Sequence, residues 1–171
     1  MQDTGLFLSI AEIAGVFVGF GALIALRTAS TDPYEVAPVR MVVSAGVLTM
    51  VAGLAPVVLG RYGLADHDVW LLCSILVLIG DIAVGVIAAR TAEYQAVFAT
   101  FRRTSAARYE LAGTVLVSGA MVLALIVVVL GLARQLDATL YFTAVVLILI
   151  QAAWVLLELV FAHMRPPAAA R

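Results

Sequence analysis

The run Leu6 to Leu26, LFLSIAEIAGVFVGFGALIAL, decides the class of fold. At 1.5 Å per residue a helix of this length reaches about 30 Å, the thickness of a bilayer's hydrocarbon core. Inside it stand one carboxylate, Glu12, and three glycines, Gly15, Gly19 and Gly21. An ionisable side chain at the centre of a membrane helix costs at least ~2.5 kcal/mol on insertion scales. The rest of the chain is therefore expected to give Glu12 a protein or water environment.

Composition extends this reading to the whole chain. Of 171 residues, 64% are hydrophobic and 12% charged, with a mean hydropathy of +1.13. A soluble domain carries about 25% charged residues. So much apolar sequence divides into several bilayer-length spans rather than one water-shielded core. Five are expected, at about 6–26, 41–59, 69–89, 111–132 and 140–162. The fold class is all-α: a polytopic membrane protein with a bundle of five transmembrane helices, one domain over 1–171. The start Met1-Gln2-Asp3-Thr4-Gly5 lacks the positive region of a secretory signal, so the first run reads as a retained helix.

Local signals mark the ends of the spans. Asp32-Pro33-Tyr34-Glu35 reads as a helix start, with Asp32 as N-cap and Pro33 at the first helical position. Pro38 then marks a kink or second start. The second span carries Ser44, Gly46, Thr49, Gly53 and Pro56, residues tolerated where neighbouring helices satisfy the backbone, so it is expected inside the bundle. Asp66-His67-Asp68 opens the third span, and either aspartate is expected to cap it. From 90 to 110, Tyr94, Val97, Phe98 and Phe101 recur at helical spacing beside arginines, predicting a cytoplasmic connector with one apolar face and a basic side formed by Arg90, Arg102, Arg103 and Arg108. The tail after His163 is expected to be disordered.

All ten basic residues are arginine, a usage typical of GC-rich bacterial genomes, which suggests a bacterial inner membrane. Across five spans the arginines divide eight to two, with Arg61 and Arg134 alone on the minority side. Basic loops stay in the cytoplasm, which predicts the N-terminus outside and the C-terminus cytoplasmic. Tyr34, Tyr62, Trp70, Tyr109 and Tyr141 lie near span ends, where interfacial rings are expected.

Three acidic residues fall within the spans. Counted from the outer edge, Glu12 lies roughly 9 Å deep, Asp81 roughly 18 Å and Glu158 roughly 27 Å. Glu12 shares a helical face with Gly15 and Gly19. That face, preceded by Ala11, is expected to meet another helix, leaving lipid to cover the side of Phe7, Ile10 and Phe17. Asp81 shares its face with Ser74 and Gly85. Gln151 and Glu158 stand seven residues apart on the last span, and Glu110, Thr114, Ser118 and Met121 line one side of the fourth. Gln151, Ser118, Thr49 and Ser74 are expected to join helices by hydrogen bonds. Glu12, Asp81, Gln151 and Glu158 form the candidate ion or proton pathway, and Ala11, Gly15, Gly19 and Gly85 the packing or oligomer face.

Other chemistry is disfavoured. A net charge of −1 without a basic domain argues against nucleic-acid binding. Cys73 stands alone in an apolar run and reads as a small buried filler. The absence of lysine excludes a retinal Schiff base. His67 and His163 are predicted at opposite sides, which disfavours a shared haem or zinc. Serine hydrolysis lacks a histidine at depth, and the glycines lie inside a span where no phosphate would sit. No enzyme, metal or cofactor is expected. The expected function is a small homo-oligomeric channel or ion/proton conduit; the alternative is a non-conducting accessory or scaffold subunit of a larger membrane complex.

Overall fold

A computed structural model of the chain describes residues 4–27, 33–92, 94–95 and 105–164. Five long helices account for nearly all of them: α1 (Thr4–Arg27), α2 (Pro33–Leu59), α3 (Asp66–Arg90), α4 (Ser105–Val129) and α5 (Asp137–Met164). All five are long and apolar enough to cross a membrane. Helix α2 begins at Pro33, as its fixed φ favours, while Asp32 lies outside the described residues. It runs unbroken through Pro38 and Pro56. The connector's Arg102 and Arg103, most of its apolar stripe and the tail beyond Met164 also lie outside the described residues.

Helix α1 packs chiefly along α2. Helix α5 touches the other four, most extensively α2 and α4, while α3 lies between α2 and α4. The span with most residues buried is α2, as its small and polar residues led us to expect. Its contact with α1 depends on glycine: a Cβ at Gly53 would stand 2.8 Å from the Phe7 carbonyl oxygen and 3.2 Å from Ala11 Cβ. Two backbones therefore meet there with no room for a side chain.

The core is richest at the end where α1, α3 and α5 begin. Phe7, Trp70, Tyr141 and Phe142 come from those three helices, with ring centroids 5.7–6.0 Å apart. Tyr141 is thus not an interfacial ring. It is fully buried, because α5 starts at Asp137 and its first turn already faces the bundle. Its hydroxyl donates to the Ala52 carbonyl at 2.8 Å. Ala52 is four residues before Pro56, so its carbonyl is the one a proline at position 56 leaves without an intrahelical donor. The tyrosine of α5 supplies that bond.

Candidate functional site

Helix α1 shows the face that carries Glu12 to be the outer face of the protomer. Gly5, Leu8, Ser9, Glu12, Val16, Gly19 and Leu23 are exposed, and Gly15 partly so. A Cβ at Gly5, Gly15 or Gly19 would meet nothing within 4 Å. The opposite face, with Phe7, Ile10, Ala11, Ala14 and Gly21, is buried. The expectation that the Phe7–Ile10 side would face lipid is therefore corrected: those large side chains fill the protomer's core, and the polar, glycine-bearing side is left outward. Ala11 separates from Gly15 and Gly19, because it packs on Gly53 inside the bundle.

Asp81 lies on the flank of α3, half-buried, with no hydrogen-bond or ionic partner among the described residues. Gly85, one turn on, is exposed, and a Cβ there would meet nothing within 4 Å. Gln151 is engaged: its amide donates to Ser118 Oγ at 2.8 Å and to the Thr114 carbonyl at 3.3 Å, joining α5 to α4. Glu158, exposed toward the far end of α5, accepts from Trp154 Nε1 at 2.5 Å within its own helix. The four residues expected to form a pathway thus lie apart, on different surfaces of the bundle. Two other expected interhelical bonds are corrected. Thr49 Oγ1 donates to the Ala45 carbonyl of its own helix at 2.8 Å, and Ser74 Oγ is buried with no partner among the described residues. A hydroxyl four residues after a carbonyl finds it without help from a neighbouring helix.

Neither Asp66 nor Asp68 caps α3. Ala65 stands at the N-cap and no side chain bonds there. The residue between them is the one engaged: His67 Nδ1 lies 2.6 Å from Asp137 Oδ2, across 70 positions of sequence. The Asp137 side chain is 1% exposed and that of His67 23%. Gly131, at φ +63°, turns the chain between α4 and α5, and a Cβ there would meet His67 Cε1 and Nε2 at 3.5 Å and Arg134 Nε at 3.4 Å. The left-handed backbone is what calls for glycine in this turn; a Cβ would only come into ordinary contact with the imidazole. The second oxygen, Asp137 Oδ1, is buried without a partner among the described residues. Sequence reasoning missed this pair because neither position signals the other. Its one legible trace was a histidine and an aspartate at span starts predicted on the same side.

At the opposite end, Tyr94 donates to the Ala37 carbonyl at 3.2 Å, and Arg90 closes α3 in an exposed position. Among the described residues no group of three or more His, Cys, Asp or Glu side chains converges to hold a metal. The arrangement defines a helical protein of the multi-pass membrane type, by the length and apolarity of its helices. Comparison with protein-family models, with curated proteins and with solved structures gave no match.

Proposed function

We propose that the protein is a small homo-oligomeric ion or proton conduit of the cell membrane, with its N-terminus outside and its path bounded by intramembrane carboxylates. One observation carries this reading: Glu12 and Asp81 stand on apolar, membrane-length helices, and neither has a partner among the described residues. Carboxyl groups in such positions often mark ion and proton routes. The outward Glu12 face supports an oligomer, since contact with a second copy would remove that carboxyl and the bare glycine surface from lipid.

The alternative is a non-conducting accessory subunit that uses the same face to dock in a complex, and the well-filled aromatic core favours it. The two readings separate in proteoliposomes. A conduit passes protons or cations faster than empty vesicles, and Glu12→Gln or Asp81→Asn changes the flux. Correctly inserted protein with the leak of empty vesicles sinks the conduit and leaves the subunit.

A further inference from the structure

Two buried polar side-chain atoms lack a partner among the described residues, Asp137 Oδ1 and Ser74 Oγ. Ser74 lies on α3, and Asp137, the first residue of α5, is held to the start of that helix by His67. His67, which holds Asp137, precedes Ser74 by seven residues, and Ser74 precedes Asp81 by seven. Seven residues are close to two helical turns, so all three share a stripe and stand about 10 Å apart along the axis. Further polar atoms lie beside the upper half. Tyr141 is one turn below Asp137, its hydroxyl bonded to the Ala52 carbonyl, and the Cys73 thiol is next to Ser74 in the chain.

Buried polar atoms without protein partners are where proteins hold ordered water, and a buried water typically makes about three hydrogen bonds. Ser74 Oγ on the stripe, Asp137 Oδ1 beside its start and, at its end, a half-buried carboxyl with no partner among the described residues give water successive polar sites through otherwise apolar packing. Asp66, Asp68 and Arg134 are exposed around the His67 end, so the line opens among charged groups there.

We infer that the α3 seam of each protomer holds a file of bound water from the His67–Asp137 pair past Ser74 to Asp81, and that protons reach Asp81 by this file. Each step passes one proton along a hydrogen bond, and the net event is protonation or deprotonation of the Asp81 carboxyl. The inference rests on the conduit reading and assigns the proton, not a larger cation, as the species that passes.

The test is proton flux into proteoliposomes under an imposed pH gradient, with insertion and helicity matched across variants. His67→Gln, Ser74→Val and Asp81→Asn each lower flux at least tenfold, and Ser74→Thr, which keeps the hydroxyl, stays within twofold of wild type. Flux within twofold of wild type for both Ser74→Val and Asp81→Asn overturns the seam. If Glu12→Gln alone stops flux, the conduit survives and the seam does not. Where the wild type itself does not conduct, the conduit reading fails and infrared spectroscopy judges the seam. The carboxyl band lost in Asp81→Asn should then exchange in D2O at least tenfold faster in wild type than in Ser74→Val; equal rates overturn it.

Discussion

Asp137 is a carboxylate shielded from water, and its single observed partner is an imidazole on another helix. Removing one member of a buried pair leaves the other uncompensated, which costs more than removing both. His67→Ala should therefore destabilise the protein by about 1–3 kcal/mol. The double variant His67→Ala/Asp137→Asn should recover part of that loss, a coupling of ~0.5–3 kcal/mol in a mutant cycle of unfolding in mixed micelles. Additive effects would mean that the 2.6 Å contact carries no energy. Gly53 gives a second residue-level test. Gly53→Ala pushes a methyl against the Phe7 carbonyl and should cost about 1–3 kcal/mol, whereas Gly119→Ala, on the open surface of α4 away from the α1 face, should change stability by less than ~0.5 kcal/mol. Equal effects would place α1 and α2 differently from the packing described.

Between elements, the bond from Tyr141 to the Ala52 carbonyl repairs what Pro56 removes from α2. Tyr141→Phe should cost about 1–3 kcal/mol, by leaving a buried carbonyl without a donor. In a Pro56→Ala background, where the backbone N–H is restored, the same substitution should cost clearly less; an unchanged cost would show that the tyrosine acts by packing alone. Gln151→Leu removes the α4–α5 bonds to Ser118 and Thr114 and should cost roughly 0.6 kcal/mol, the usual scale for such bonds in membranes. At this scale the sequence was partly legible. Gln151 and Ser118 were readable as helix-joining residues because both lie inside apolar spans. Thr49 and Ser74 looked the same in sequence and behave differently, since a hydroxyl's partner depends on which neighbour comes within about 3 Å.

The whole protomer leaves one polar face of α1 open, and the proposed assembly through that face can be trapped. In a Cys73→Ala background, Ser9→Cys or Val16→Cys should form disulfide-linked dimers in oxidised membranes, while Ile10→Cys, on the buried face, should not. Monomers throughout would reject oligomerisation through α1. Sequence by itself determined the number of membrane-length helices, their approximate bounds and the positions of Glu12 and Asp81 within apolar runs, because hydropathy and the 3.6-residue period are properties of a single segment. Which face of α1 turns inward was settled only by tertiary packing. A stripe of glycines and a stripe of large apolar residues can each cover a helix, and the bundle chose the one that fills its core. The His67–Asp137 pair, the rescue of the Ala52 carbonyl and the unpartnered atoms beside α3 likewise arise only when segments far apart in sequence meet.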